Sequence, residues 1–149
     1  MTILGCNTKC ITPKTIQIAL QVHEGKTDKT GVPYAEHIMH VMAAGRTTDE
    51  KVVGVQNDLV EDTDYIFEDT QRADYPTRII DALRCVTKLS EKESYEEFME
   101  RVKTNPLPTD VKIIDLSDNL DIRKLKELTD ANVKRLRKYL KAYQSLISL

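Results

Sequence analysis

The sequence predicts an all-α fold, a single-domain helical bundle that spans residues 1–149. Apolar residues recur at helical spacing through most of the chain. No segment combines sustained alternation of apolar and polar residues with the turn residues of a hairpin. Hydroxyl residues also stand where helix N-caps are expected. At 149 residues the chain is long enough to bury a sizeable core within one domain.

The first helices are predicted from proline, glycine and the apolar pattern. Thr12 followed by Pro13 is typical of an N-cap and a first helical position, so the first helix is expected from Pro13 to about His23. The stretch GKTDKTGVPY, residues 25–34, contains two glycines and a proline and is expected to form a loop. The next helical segments are expected over about 33–44, 49–62, 66–72 and 77–87.

Three further helices are predicted in the second half of the chain. Ser94 with Glu97 matches a capping box and begins a helix that lasts to about Lys103. The stretch NPLPTD is expected to break the chain before VKIIDLSDNLDI resumes as helix. Thr129 caps a final helix with an apolar stripe. That stripe consists of Leu136, Tyr139, Leu140, Tyr143 and Leu146.

The composition excludes several classes of protein. The net charge is −2 and both signs are mixed along the chain, which disfavours binding to nucleic acid or to an anionic membrane. No apolar run approaches the roughly 20 residues needed to span a bilayer, and no signal-peptide pattern is present, so a cytoplasmic location is expected. Cys6, Cys10 and Cys85 are expected to be reduced thiols, because no second cysteine or histidine pair stands at zinc-site spacing.

The segment VQNDLVEDTD, residues 55–64, sets acidic side chains among apolar ones. On a helix, the polar side chains share an arc of roughly 140°, and the opposite face is apolar apart from Gln56. No lysine or arginine stands three or four residues away to relieve the repulsion, so a bound cation and a solvated acidic face are both open interpretations. The polar arc consists of Asn57, Asp58, Glu61 and Asp62, with Gly54 in its middle, where a ligand could approach the backbone.

A second segment, residues 111–122, also favours a metal or phosphate site. The helical wheel places a lysine, two carboxylates and an amide on one face, and these are Lys112, Asp115, Asp118 and Asn119. Divalent ions accept mixed carboxylate and imidazole ligands, and a nearby lysine can neutralise phosphate. His37, which follows the glycine-proline loop, is the obvious imidazole.

Three motifs occur in order: ALQVHEGKTDKTGVPYAEH, then NDLVEDT, then VKIIDLSDNL. Together they resemble the HD-domain metal-dependent phosphohydrolases. The resemblance is greatest to the guanosine polyphosphate (ppGpp) pyrophosphohydrolases of the RelA/SpoT type and their small stand-alone relatives. It covers about Ile16 to Leu120, and the final helix with Tyr139 also matches. It implies a bundle of the HD-domain type that hydrolyses the 3′-diphosphate of a small nucleotide with one divalent ion, usually manganese.

The resemblance also implies roles for individual residues. The metal ligands would be His37, Asp58 and Asp115, with Asn57 or water completing the set. The residues that orient or deprotonate the attacking water would be Glu61 and Asp62. The residues that hold substrate phosphates, ribose or base would be Lys29, Lys112 and Asn119. Two residues, His23 and Tyr34, are expected to support the pocket.

The sequence departs from the family pattern at three positions. Asn57 stands where the family has histidine, and its neutral oxygen is a weaker ligand for a transition metal, so manganese binding could be weak or absent. Gln56 replaces an apolar residue and should find hydrogen bonds or lie near solvent. Asp28 stands where many ppGpp hydrolases have an arginine that stacks on guanine.

Three hypotheses therefore stay open. The first is an active phosphohydrolase, and the second is a degenerate HD domain that binds nucleotide or phosphate with little or no turnover. The third is a purely structural helical protein. The sequence does not predict the physiological substrate or the oligomeric state.

Overall fold

The computed structural model describes residues 8–28, 30–62 and 75–148, and the side chains of 13–28, 30–61 and 75–148. Within these residues the chain forms seven α-helices and a short 3-10 helix (Ile122–Lys124), without any strand. This confirms the all-α prediction. The helices are α1 (Thr8–Val22), α2 (Tyr34–Ala44), α3 (Thr48–Asp62), α4 (Thr77–Val86), α5 (Tyr95–Val102), α6 (Pro106–Asn119) and α7 (Asp130–Ile147).

Several helix starts lie where their capping residues predict them. Ser94 forms the full capping box with Glu97 at the start of α5. Thr129 accepts a hydrogen bond from the Asn132 backbone N–H at the start of α7. These side chains satisfy N–H groups that have no partner within the first turn of the helix. The helix predicted over 66–72 lies outside the described residues.

Two helix starts predicted from proline were wrong. α1 begins at Thr8, so Pro13 lies inside the helix, where it cannot donate the usual hydrogen bond to the carbonyl four residues earlier. The break predicted at NPLPTD is present but shorter than expected, because α6 resumes at Pro106 and not at Val111, with Asn105 as its N-cap. Pro106 and Pro108 both lie in the first turn, where the missing N–H groups would have had no helical partner.

Helix α3 lies at the centre of the bundle and contacts α1, α2, α4 and α6. The buried apolar face of α3 packs against its neighbours through Val52, Val53, Val55 and Leu59. The sequence suggested that Gly54 leaves room for a ligand, and this was wrong. A Cβ atom at this position would lie 2.5 Å from the Val41 side chain, so the glycine permits the close approach of α2.

The final helix buries only part of its predicted stripe. Ala142 and Leu146 are buried against α5 and α6, and Tyr139 and Tyr143 pack at the edge of this cluster. Leu140, however, is 48% exposed, because it lies on a different face of the helix from Ala142 and Leu146. None of the described helices is long and apolar enough to cross a membrane. Cys85 is a partly buried free thiol. Cys6 and the Cys10 side chain lie outside the part of the chain that the structure describes.

Candidate metal centre

Helices α2, α3 and α6 bring together three of the four residues that the family resemblance implied as metal ligands. His37, Asp58 and Asp115 offer ligand atoms that all lie within 4.8 Å of one another. The His37 Nε2 atom is 3.3 Å from Asp58 Oδ2 and 3.5 Å from Asp115 Oδ1. An imidazole nitrogen and two carboxylate oxygens therefore face a common point, although these residues are far apart in the sequence.

The loop before α2 orients the start of this helix. Asp28 organises the loop, because its carboxylate accepts hydrogen bonds from the backbone N–H groups of Thr30 and Val32 and from the Thr30 hydroxyl. Its pKa lies below the ordinary value, since these hydrogen bonds outweigh the effect of burial. The departure at Asp28 therefore has a structural role within the loop.

His23 and Tyr34 support His37, as the sequence suggested. The His23 ring stacks on Tyr34 with ring centres 4.4 Å apart, and the Nδ1 atom of His23 lies 2.9 Å from the Ala19 carbonyl oxygen. Tyr34 in turn meets His37 edge to face, and its hydroxyl lies 3.5 Å from Asp58 Oδ1. The two aromatic rings thus form one wall beside the candidate ligands.

Asp118 makes a contact that sequence reasoning did not assign. It was placed on the polar face of its helix but received no role. In the structure its Oδ2 atom lies 2.5 Å from both His37 Nδ1 and Lys124 Nζ, and its Oδ1 atom lies 2.8 Å from His40 Nδ1. The spacing of three from Asp115 places both carboxylates on one helical face, which is the signal that could have suggested a joint role.

The electrostatics of the cluster favour a cation. Burial alone would lower the pKa of His37, but hydrogen bonds from its ring to Asp115, Asp118 and Asp58 outweigh burial and raise this pKa to about 12. Burial would raise the pKa of Asp115, but the Lys112 charge and His37 hold it well below its usual range. The pKa of Asp118 is also held well below its usual range, by His37 and Lys124. The Asp115 and Asp118 carboxylates are therefore ionised at neutral pH.

Lys112 and Asn119 contact Asp115 from the same helix. The Lys112 ammonium group is buried, donates a hydrogen bond of 2.9 Å to Asp115 Oδ2 and lies 5.3 Å from the centre of the Phe98 ring. The Asn119 amide donates to both the carboxylate and the backbone carbonyl of Asp115. Both side chains also line the cavity at the cluster, which is compatible with the predicted contact to substrate.

The amides of α3 have fewer partners. Asn57 is buried, and its Oδ1 atom receives a long contact of 3.4 Å from the Thr87 hydroxyl. Gln56 was expected to find hydrogen bonds or lie near solvent, and this was wrong. Its side chain is fully buried, and within the described residues neither amide atom makes a hydrogen bond. The Tyr75 hydroxyl is a polar neighbour of this amide, but it lies 2.5 Å from the Thr15 hydroxyl.

The cluster opens into a cavity of about 960 Å³, large enough for a small-molecule ligand. Glu61 lines this cavity together with Asp58, Asp115 and Asp118. Basic residues that sequence reasoning did not single out line the same cavity, namely Lys88, Lys124, Arg135 and Lys138. The position of Arg135 one turn before Tyr139 could have suggested its contribution. Lys29 and the Asp62 side chain, both predicted at the site, lie outside the described residues.

The donor set at the cluster fits a divalent cation. An imidazole nitrogen with carboxylate oxygens suits hard or borderline ions such as Mn²⁺. The separation of these atoms fits coordination of one ion, and the surrounding negative charge would stabilise that ion. His37, Asp58 and Asp115 are the residues that would hold it. Asn57 adds no charge to this set.

Comparison with known proteins supports the fold. No protein-family model matches the chain. One similar solved structure is described as a metazoan ortholog of SpoT that hydrolyses ppGpp and plays a role in starvation responses. The two chains are 22% identical and superpose with a TM-score of 0.72, over 91% of this chain and 84% of the other. At this identity the similarity establishes a common helical fold.

Proposed function

We propose that this chain is a metal-dependent phosphohydrolase that acts on a guanosine polyphosphate or a related nucleotide and releases pyrophosphate. The observation that carries the proposal is the convergence of His37, Asp58 and Asp115 from three helices on one point. The fold shared with a protein described as hydrolysing ppGpp is consistent with this activity. The basic residues along the cavity suit a substrate with several phosphates.

A divalent cation held by these three residues, which we propose to be Mn²⁺, would neutralise phosphate charge and lower the pKa of water. Glu61 and Asp62 are proposed to orient the attacking water and accept its proton. Glu61 lines the cavity, and its charge contributes to the raised pKa of Lys112. We propose that Lys29, Lys112 and Asn119 bind the substrate and that the positive charge of Lys112 stabilises its phosphates.

A second candidate function is nucleotide or phosphate binding with little or no turnover. The observation that favours it is Asn57, which supplies a neutral amide where the resembled family has an imidazole. The Asn57 oxygen already receives the contact from Thr87, so it contributes less to a cation than a histidine nitrogen would. Under this alternative the cavity binds the nucleotide, but water is not activated.

The Asn57→His variant tests both functions. The unaltered protein, purified in manganese, is assayed for metal content and for pyrophosphate release from ppGpp and a panel of nucleotides. Stoichiometric Mn²⁺ with turnover supports the hydrolase, and tighter Mn²⁺ binding is expected in the variant. Nucleotide binding without turnover, together with turnover gained by Asn57→His, supports the second function.

The His37→Gln variant is the matched control, because it removes the one imidazole of the proposed ligand set. It is expected to lose both metal and turnover while retaining the helical circular-dichroism spectrum. If the unaltered protein and Asn57→His both bind neither metal nor nucleotide, both proposed functions are wrong.

A further inference from the structure

We propose that Asp118 is a positioning residue that fixes the imidazole of His37 with its Nε2 atom directed toward Asp58 and Asp115, where a bound cation would meet it. The inference rests on the proposed function, since it concerns how the same site would receive a cation. It gives a role to a residue of the third motif to which the sequence analysis assigned none.

The first step of the argument is the direction of the hydrogen bond between His37 and Asp118. An ionised carboxylate can only accept hydrogen bonds, so the Nδ1 atom of His37 must carry the proton that is donated to Asp118 Oδ2. When a cation takes the place of the second imidazole proton, the other nitrogen binds it through its lone pair. That nitrogen, Nε2, is the atom that lies 3.3 Å from Asp58 and 3.5 Å from Asp115.

The second step is that Asp118 is itself held in place. Lys124, in the 3-10 helix, donates to Oδ2, and His40, one turn after His37 on α2, lies within hydrogen-bond distance of Oδ1. Only 10% of the Asp118 side chain is exposed, whereas the His40 side chain is half exposed. The carboxylate therefore connects α2, α6 and the 3-10 helix, and it cannot turn away from His37 without breaking contacts to two other residues.

The third step is the dependence of the cluster on one imidazole. Among the described residues, the group suited to a metal ion contains one histidine and two aspartates. Asn57 does not supply a second imidazole. The basicity of His37 Nε2 is therefore decisive for the affinity of the site, and a carboxylate that accepts from Nδ1–H raises this basicity.

The experiment compares Asp118→Asn and Asp118→Ala with Asp121→Asn in the full chain. Asp121 is a suitable control because it follows Asp118 by three residues and lines the same cavity, but its carboxylate pairs with Arg123 and not with His37. Mn²⁺ affinity is measured by isothermal titration calorimetry. In protein loaded with diamagnetic Zn²⁺, ¹⁵N chemical shifts of the imidazoles report which nitrogen of His37 keeps its proton.

We expect the unaltered protein to bind Zn²⁺ through Nε2 of His37 and to retain the Nδ1 proton. Asp118→Ala should weaken Mn²⁺ binding by about 10- to 100-fold. In this variant the His37 imidazole should no longer be restricted to binding through Nε2 with a proton on Nδ1. Asp118→Asn should have a smaller effect, because its amide oxygen still accepts a hydrogen bond from Nδ1, and Asp121→Asn should leave affinity unchanged. Asparagine has nearly the same shape as aspartate, so Asp118→Asn still tests the inference if Asp118→Ala does not fold.

Undiminished Mn²⁺ affinity in both Asp118 variants would overturn the inference, as would Zn²⁺ bound through His37 Nδ1. If the unaltered protein binds Mn²⁺ but hydrolyses no nucleotide, and the Asp118 variants lose affinity, the inference stands and the proposed hydrolase fails. If the unaltered protein hydrolyses ppGpp and the Asp118 variants bind Mn²⁺ with unchanged affinity, the proposed hydrolase stands and the inference fails. Failure of the unaltered protein to bind any divalent cation would overturn both.

Discussion

Helices α6 and α3 both contribute polar side chains near His37, but they hold them in different ways. On α6, Asp115 contacts a lysine, an amide and an imidazole, and Asp118 contacts a lysine and two imidazoles. On α3, Gln56 is fully buried without a hydrogen bond in the described part, and Asn57 has the long contact from Thr87. The α6 carboxylates therefore belong to a network of ion pairs and hydrogen bonds, whereas the two α3 amides have few hydrogen bonds.

This difference indicates where the capacity to bind a cation resides. Ionised groups with fixed partners create a strong local field, whereas a buried amide without partners costs stability and contributes little charge. Asp58 is the residue through which α3 joins the charged cluster, directly after the two amides. Apart from Asp58, the structure thus concentrates the electrostatic function on α2 and α6, and the two amides of α3 contribute little to it.

The largest expected effect comes from removing charge on the α6 side. Asp115→Asn should weaken Mn²⁺ binding by more than about 100-fold, since even residues outside the ligand set typically contribute 10- to 100-fold. It should also lower the free energy of unfolding by about 3 kcal/mol, because buried Lys112 loses its carboxylate partner. Calorimetric titration and urea denaturation measure the two effects.

The double variant Lys112→Met with Asp115→Asn separates these effects. It removes both buried charges, so stability should recover while Mn²⁺ affinity stays low. Normal Mn²⁺ affinity in Asp115→Asn would show that α6 does not dominate the site, and the contrast between the two helices would have no functional meaning.

The next largest effect concerns pH when divalent cations are removed with a chelator. The pKa of His37 is raised from 6.5 to about 12, so the folded protein binds a proton that the unfolded chain releases. The resulting stabilisation is fully present below pH 6.5 and is lost as the pH rises toward about 12. One proton changes stability by at most about 1.4 kcal/mol per pH unit, which limits the loss between pH 7 and 9 to about 2.7 kcal/mol.

Urea denaturation at pH 7 and pH 9 in the presence of chelator measures this loss. The His37→Asn variant is the control, and its stability should depend less on pH over this range. Equal pH dependence in the two proteins would show that the α6 carboxylates do not hold a proton on His37.

Sequence reasoning predicted most of the helices because their signals are local. Ser94 and Thr129 act within one turn of their own helices, so the sequence is sufficient to place these caps. Proline was harder to interpret, since its effect depends on where a helix begins. Pro106 is compatible with the first turn of α6, whereas Pro13 lies inside a helix that starts five residues earlier.

The candidate site was predicted in part, for a related reason. Spacing and family resemblance singled out His37, Asp58 and Asp115, which the structure brings together. The contact of Asp118 with Lys124 and His40 depends on how three elements pack, and helical periodicity does not contain that information. Periodicity likewise placed Leu140 in an apolar stripe, although packing leaves this residue exposed.

The smallest expected effect tests the α3 side. Gln56→Met removes a buried amide that makes no hydrogen bond in the described residues and keeps an unbranched side chain of similar size. It should raise the free energy of unfolding by about 1–2 kcal/mol, because an unsatisfied buried polar group costs roughly that much. Gln144→Met, at an exposed position of α7, is the matched control and should change stability little. If Gln56→Met instead destabilises the protein, the Gln56 amide has a structural partner, and the α3 side is held as firmly as α6.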